Sequence, residues 1–176
     1  MTNKLVYRLA LFIYYSFAIY LPESYKYKGL PGKIRRILCK HIFLYCGKSV
    51  NVEKGARFGN GRFIEIGDYS GIGINCTLPN NVKIGKYVMM GPNCYILDSN
   101  HNFDSIDKPM MFQGYSEKRI VHIDNDVWLG VNVTIMPGIH FKKGTIVGAG
   151  SVVTKNFPEY SIIGGNPAKL IRDRKQ

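Results

Sequence analysis

The sequence predicts an all-β solenoid, chiefly because apolar residues in its second half recur every six positions. The large members are Ile66, Ile72, Leu78, Ile84, Met90 and Ile96, followed by Ile123, Leu129, Ile135, Phe141, Val147 and Val153. Four positions after most of them comes a smaller residue, at Ser70, Cys76, Val82, Val88, Cys94, Val127, Val133, Ile139, Thr145 and Ser151. Neither a helix nor a continuous strand has this period. It indicates short strands and turns stacked coil on coil, with one large and one small residue pointing inward in each repeat.

Glycine supports the same prediction, because it directly follows six of the large residues, at Gly67, Gly73, Gly85, Gly91, Gly130 and Gly148. The length of 176 residues is typical of one domain with attachments. We therefore expect a helical segment at 1–47, a solenoid at 48–165 that carries a loop at 99–119, and a basic tail at 166–176.

The N-terminal segment is predicted to form two helices that pack on the solenoid or on a partner subunit. Leu5–Leu21 is strongly apolar, but Arg8 interrupts it, it is shorter than the ~20 residues of a membrane span, and no small-residue cleavage site follows. Gly29, Pro31 and Gly32 break the chain, and Lys33–Tyr45 has apolar residues at helical spacing with basic residues between them. A basic amphipathic face that lies on an anionic membrane is the alternative to simple packing.

The net charge of +12 and the isoelectric point near 9.6 imply an anionic partner. No nucleic-acid-binding motif accompanies the charge, so nucleic acid is not expected. The four cysteines form no CxxC pair and no metal-ligand spacing, and Cys76 and Cys94 fall on the inward stripe, where we interpret them as core residues in a reducing compartment.

One segment interrupts the six-residue frame and is the candidate functional loop. Ile96 and Ile123 are 27 residues apart, where an unbroken frame would give 24, and the apolar stripe is lost between them. A loop extruded from a rigid scaffold is a favoured place for binding residues. His101 lies at the start of this loop, beside Asn100.

Several motifs resemble the left-handed β-helix acyltransferases built from hexapeptide repeats, and in particular the maltose, galactoside and capsular-polysaccharide O-acetyltransferases. Besides the repeats, the similar segments are Asn100-His101, Val127–Gly130, Gly148–Lys155 and Gly164–Lys169. The resemblance covers residues 50–172. It implies a left-handed parallel β-helix and a homotrimer that binds acetyl-CoA and its acceptor in clefts between subunits. It also implies that no metal is required.

The resemblance also implies roles for individual residues. His101 is expected to act as the general base that takes a proton from an acceptor hydroxyl, because an unperturbed imidazole, with a pKa of about 6.5, is mostly neutral at pH 7. Asp98 and Asp104 are candidates to orient it. Acceptor binding is expected at Asn100 and Trp128, and Trp128 alternatively covers the trimer interface. The residues carried into the acetyl-CoA cleft are Gly130, Ala149, Thr154, Lys155, Lys169 and Arg172.

The function expected on this basis is transfer of acetyl from acetyl-CoA to a saccharide hydroxyl in surface polysaccharide biosynthesis, in the cytoplasm. Leu78–Asn81 lacks the acidic residue that holds the sugar in some relatives of this family, which argues against a small disaccharide acceptor. Three alternatives remain open. They are an antibiotic- or xenobiotic-modifying acetyltransferase, a non-catalytic solenoid scaffold, and a zinc enzyme of the γ-carbonic anhydrase type, although no two of the four histidines are closely spaced.

Overall fold

The computed structural model describes residues 3–176, which form two helices followed by a three-sided β-solenoid. The helices are α1 (Lys4–Ser16) and α2 (Leu30–Ile42), with 3-10 turns at Ala18–Tyr20 and Tyr27–Gly29 between them and another at Met110–Phe112. The strands are β1 (Tyr45–Cys46), β2 (Asn51–Val52), β3 (Glu65–Ile66), β4 (Gly71–Ile72), β5 (Lys83–Ile84), β6 (Met89–Met90), β7 (Tyr95–Ile96), β8 (His122–Ile123), β9 (Trp128–Leu129), β10 (Thr134–Ile135), β11 (His140–Phe141), β12 (Ile146–Val147), β13 (Val152–Val153), β14 (Ser161–Gly164) and β15 (Lys169–Asp173).

Strands of successive coils stack in parallel and make three faces. Face 1 consists of β1, β3, β5, β8 and β11, and face 3 consists of β7, β10 and β13, extended by single bridges at Arg57 and Thr77. Face 2 consists of β6, β9, β12 and β14, with β4 and β2 below them and β15 at the upper edge. Residues three repeats apart are therefore direct neighbours, as in the pair Glu65 and Lys83.

The predicted inward stripe is confirmed. All twelve large members and all ten small members are buried, so they form a column inside the coils that consists chiefly of Ile, Val and Leu, with Met90 and Phe141 among them. Cys76 and Cys94 are among them, as predicted, and both are free thiols. Each coil supplies only about six inward side chains, so it buries them only against its neighbours.

The corners between faces require backbone conformations with positive φ. Between faces 2 and 3 this position is held by Asn75, Asn93 and Asn132, with φ between 55° and 58°. Asparagine tolerates the left-handed region better than most residues. Asn93 also donates from its side-chain amide to Asn132 Oδ1 at 3.1 Å, which links two coils at this corner.

The two helices cover the first coil of the solenoid. Asn3 caps α1 by accepting a hydrogen bond from the Leu5 N–H. The hydroxyl groups of Tyr14 and Tyr15 donate to the carbonyl oxygens of Ala56 and Gly59, each at 2.8 Å, and so attach α1 to the turns of that coil.

The second helix begins earlier than the sequence pattern indicates. The predicted start was Lys33, whereas α2 starts at Leu30 and includes Pro31 and Gly32 in its first turn. Proline is tolerated there because the first N–H groups of a helix have no partner within the helix. The chain direction instead changes at Gly29, which precedes α2 and has a φ of 80°.

A buried arginine on α2 joins the helices to the solenoid. Arg35 is fully buried and donates hydrogen bonds to the carbonyl oxygens of Val52, Leu21 and Pro22. Its guanidinium lies 3.8 Å from the carboxylate of Glu53. Burial lowers the pKa of Arg35, and the charge is held by this carboxylate and the ring of carbonyl oxygens. One side chain thus contacts both the segment that links the two helices and the first coil.

The last residues form a strand, whereas the sequence predicted a basic tail from residue 166. β15 pairs antiparallel with β14 at the upper edge of face 2 and closes the ladder there. No helix within residues 3–176 is long and apolar enough to cross a membrane.

The buried arginine provides a test of how the helices are attached. Arg35→Met should lower the free energy of unfolding by about 3–5 kcal/mol, because it removes the positive charge beside the Glu53 carboxylate and leaves several buried carbonyl oxygens without their hydrogen-bond donor. Arg36→Met, next to it on the same helix and only partly buried, should cost no more than about 0.5 kcal/mol. Urea unfolding followed by circular dichroism measures both, and equal losses would contradict this role of Arg35.

Candidate active site

A groove of about 310 Å³ opens on face 3, where the loop at 99–119 leaves the solenoid. Its floor is the stacked pair Thr77 and Tyr95, whose side chains point outward next to the inward Leu78 and Ile96. The walls include Pro79, Asp98, His101 and Tyr115. The interruption of the repeat therefore produces a concave surface on an otherwise regular face.

Backbone hydrogen bonds fix the base of the loop as a short antiparallel ladder. The Arg119 N–H donates to the Asp98 carbonyl at 2.7 Å, and the Ser116 N–H donates to the Asn100 carbonyl at 2.8 Å. The Asn102 N–H donates to the Gly114 carbonyl at 3.0 Å. Residues 98–102 thus pair with the returning arm of the loop, and the Gly138 N–H joins that arm to the solenoid by donating to the Arg119 carbonyl at 3.2 Å.

His101 is exposed at the rim of the groove, and its ring stacks against Tyr115. The ring centroids are 4.3 Å apart and the planes are inclined by 34°. The Asn100 side chain accepts a hydrogen bond from the His101 backbone N–H at 3.0 Å, which constrains the backbone at this residue. The imidazole edge is left open toward the groove and solvent, where a reacting group could approach it.

The two aspartates that the sequence suggested as orienting groups lie in different environments. Asp98 lines the groove, but its carboxylate forms an ion pair with Lys118 at 3.1 Å and accepts a hydrogen bond from Ser99. Asp104 is exposed further along the loop. Within residues 3–176, the His101 ring contacts the Tyr115 ring, and neither aspartate bonds to it.

The residues expected to bind acetyl-CoA gather at the upper part of the solenoid. Gly130 and Ala149 stack at the corner between faces 2 and 3, so closely that a Cβ on Gly130 would lie 2.7 Å from the Ala149 nitrogen. Thr154 and Lys155 follow β13 on face 3, and Lys169 and Arg172 lie on β15. The Ala168 N–H donates to the Val152 carbonyl at 2.8 Å, which holds the start of β15 against face 3.

This upper region presents exposed positive charge. Lys155, Lys169 and Arg172 are all exposed. Arg172 donates to the carbonyl oxygens of Asp173 and Gln176, and Lys155 lies over the ring of Phe157. Exposed ammonium and guanidinium groups beside a small residue such as Ala149 fit a phosphorylated ligand with a slender arm.

Within one chain, the groove residues and the cationic residues lie at two heights along the solenoid axis. The predicted site residues also lie on two of its faces. Tyr95 in the groove pairs with Thr134, and Thr134 pairs with Val152 near the cationic residues. The two heights are thus two strand spacings, or roughly 10 Å, apart. Trp128 is half exposed on face 2 and does not line the groove. A single chain does not bring it next to His101.

Sequence reasoning missed three residues of the groove. Thr77 and Tyr95 could have been found, because the residue before each inward Leu78 or Ile96 must point outward on the same face. Tyr115 could not, because no period extends through the loop and only the folded ladder places it against His101.

A second groove of about 520 Å³ lies on face 1 and is lined in part by His122. His122 and His140 stack 5.4 Å apart, and His140 Nε2 lies 2.8 Å from an Asp124 carboxylate oxygen. Burial lowers the pKa of His122, and the neighbouring His140 lowers it further. Within residues 3–176, no three His, Cys, Asp or Glu side chains converge as a metal site would require.

Comparison with protein families places residues 63–98 in the bacterial transferase hexapeptide family, described as six repeats. A protein of Schizosaccharomyces pombe named "Putative acetyltransferase" is 31% identical over 143 residues, which cover 80% of this chain and 68% of that protein. A protein of Staphylococcus aureus with the same kind of name is 36% identical over 109 residues, or 52% of this chain. The chain spans about half the length of this and similar relatives, 55% in this case.

Two solved structures are similar over most of the chain. The maltose O-acetyltransferase of Clostridium difficile has a TM-score of 0.76 and 28% identity, with 97% of this chain and 89% of that chain covered. A hexapeptide-repeat acetyltransferase of Vibrio cholerae, complexed with acetyl coenzyme A, has a TM-score of 0.74 and 28% identity, with 81% and 77% covered.

Proposed function

This chain belongs to the hexapeptide-repeat family of acetyltransferases, and its fold is the left-handed parallel β-helix of that family. On this premise we propose that it transfers the acetyl group of acetyl-CoA to a hydroxyl group of a saccharide. The observation that carries the proposal is the position of His101, which the rigid base of the loop presents at the rim of a groove.

In the proposed reaction His101 acts as general base. Its imidazole takes the proton of the acceptor hydroxyl while the hydroxyl oxygen bonds to the thioester carbonyl carbon. When the carbon–sulfur bond breaks, the imidazolium returns the proton to the departing thiolate of CoA. Acetyl-CoA is already an activated acyl donor, so no covalent enzyme intermediate is needed. Two contacts support this role, because the Tyr115 ring packs on the imidazole and the Asn100 side chain bonds to the His101 backbone N–H.

Acetyl-CoA is proposed to bind along the upper part of faces 2 and 3. Gly130 and Ala149 leave room for the pantetheine arm at the corner between these faces, and Thr154 directly follows β13 on face 3. Lys155, Lys169 and Arg172 supply counter-charges for the phosphates. The similar Vibrio cholerae structure, which was solved with acetyl coenzyme A, supports this part of the proposal.

The acceptor is proposed to be a saccharide of a surface polysaccharide under assembly, bound near Asn100 and Trp128. Similarity to a maltose O-acetyltransferase supports the saccharide class and the O-acetyl product. Pro79, which lines the groove, belongs to the Leu78–Asn81 segment that lacks an acidic residue, so a small disaccharide is not proposed. We also place the protein in the cytoplasm, with peripheral contact between its N-terminal helices and a membrane.

A homotrimer is proposed as the active form. Within one chain Trp128 lies on face 2 and the His101 groove on face 3, so a site that uses both needs a second copy. Met89 and Trp128 also expose large side chains next to each other on face 2.

The assembly can be tested by light scattering together with activity. We expect a particle of three times the 19.9 kDa chain mass, because a cleft shared between faces of different copies requires cyclic association. A stable monomer that transfers acetyl at full rate would contradict both the trimer and the shared cleft.

The cationic residues can be tested through the KM for acetyl-CoA. Lys169→Ala or Arg172→Ala should raise this KM by about tenfold, because each removes a charge-assisted contact with a phosphate. Lys142→Ala, a matched exposed lysine on face 1, should leave it unchanged. If the wild-type protein uses dephospho-CoA as well as CoA, the assignment to the ribose phosphate is wrong.

The general base can be tested by substitution of His101. His101→Ala should lower kcat by about 10²–10⁴ and leave CoA affinity and assembly unchanged, because this exposed side chain contributes little packing. His41→Ala, an exposed histidine on α2, is the matched control and should retain activity. Acetyl transfer to a sugar hydroxyl is measured through the release of the free thiol of CoA. A His101 variant that keeps more than about a tenth of turnover would remove this residue from the mechanism.

A further inference from the structure

The outer side of α1 is an apolar stripe that the fold leaves uncovered. Leu5, Leu9 and Phe12 follow one another at four and three positions, so they share one side of the helix. They are 73%, 57% and 70% exposed. Tyr14, which bonds to the first coil, lies on the opposite side of the same helix. The stripe therefore points away from the solenoid, at the end where the first coil is capped.

Aromatic residues continue this apolar stripe along the segment that links the helices. Phe17 and Tyr20 follow α1 and are 56% and 69% exposed. Tyr25 and Tyr27 lie before α2 and are more than 70% exposed. Tyrosine rings of this kind favour the boundary between water and hydrocarbon, since one end is apolar and the other polar.

Positive charge surrounds the stripe. Residues 1–47 contain eight lysine and arginine residues and a single glutamate, a formal charge of +7 out of +12 for the whole chain. Glu23 is already paired with Lys26 at 3.1 Å. Lys33 and Lys40 are exposed on the side of α2 opposite buried Arg35, and Lys4 and Arg8 are exposed on α1 itself.

We propose that α1 and the adjoining basic residues form a docking surface for an anionic lipid membrane. The docking surface consists of Leu5, Leu9, Phe12, Phe17 and Tyr20 as its apolar part, with Lys4, Arg8, Lys33 and Lys40 as its basic part. α1 lies in the plane of the interface, its apolar stripe enters the boundary of the acyl chains, and the basic residues contact the phosphate headgroups. This deepens the membrane contact included in the proposed function by naming the surface and the lipid class.

Charge complementarity favours lipid over a second copy of the chain. Two such surfaces facing each other would bring together like charges from Lys4, Arg8 and Lys33, which is unfavourable. An anionic bilayer offers both a hydrocarbon boundary for the stripe and a negative surface potential for the cations. Because α1 has only 13 residues, it fits a position on the membrane surface and not across it.

Vesicle sedimentation with the full chain tests the docking surface. The probes are vesicles of phosphatidylcholine alone and vesicles that also contain phosphatidylglycerol. We expect the wild-type protein to sediment with the anionic vesicles and to be released as salt rises. Leu9→Glu/Phe12→Glu should weaken this partition by about tenfold or more, because acidic side chains disfavour both burial and the anionic surface.

Matched controls separate the surface from general effects of charge. Ile106→Glu/Met111→Glu makes the same change at two exposed apolar residues of the 99–119 loop and should keep wild-type partition. Lys33→Glu/Lys40→Glu should lose binding to anionic vesicles, whereas Lys142→Glu/Lys143→Glu on a distant coil should keep most of it. Circular dichroism in the absence of vesicles reports whether each variant is folded.

Three results would overturn the proposal. The first is a wild-type protein that does not sediment with anionic vesicles. The second is a wild-type protein that binds neutral and anionic vesicles equally and without salt dependence. The third is a Leu9→Glu/Phe12→Glu variant that partitions to anionic vesicles as well as the loop control does. If the helix variant instead changes the oligomeric mass and not the partition, the stripe pairs copies of the chain. Vesicle binding does not require acetyl transfer, so a protein that binds vesicles without transferring acetyl overturns only the proposed function.

Discussion

The structure depends on the close stacking of each coil on the next. Parallel strands of neighbouring coils approach at the spacing of a β-ladder, and the corners must approach equally closely. Gly73, Gly91 and Gly130 permit this at one corner. A Cβ on Gly73 would lie 2.4 Å from the Gly91 carbonyl oxygen, and one on Gly91 would lie 2.7 Å from the Gly130 carbonyl carbon. Each coil buries its side chains only against its neighbours. A corner that could not approach the next coil this closely would therefore leave the core beneath it exposed.

The same constraint explains the helices at one end of the solenoid. A stack of coils has an open lower end, where the first coil has no neighbour, and α1 and α2 provide the missing contacts. Arg35 strengthens this cap because its guanidinium satisfies carbonyl oxygens from the connections and from β2 at once. The cap buries one side of α1 and leaves the other side available. The uncovered apolar stripe of α1 is therefore a consequence of how the solenoid is closed.

A regular solenoid offers few places for chemistry, because outward residues lie on flat faces. The loop at 99–119 changes this, since it raises a wall beside face 3 and places His101 and Tyr115 at its rim. The ladder at the base of the loop gives it the rigidity of the scaffold. The cationic residues lie higher on the same solenoid, where β15 adds an antiparallel edge after the last coil. The candidate site is thus formed by the regular repeat together with its two irregular parts, which are the loop at 99–119 and strand β15.

The sequence by itself determined the period, the inward stripe and the place of the interruption, because a repeat that packs only on its neighbours must show the same residue types at each turn. It also indicated His101 as the candidate general base, because His101 lies where the six-residue repeat is interrupted. Only the tertiary structure decided that Tyr115 stacks on His101, that Trp128 lies on another face, and that the last residues form a strand. These contacts join residues with no common period, so their positions follow from how the loop and the chain ends fold back onto the coils.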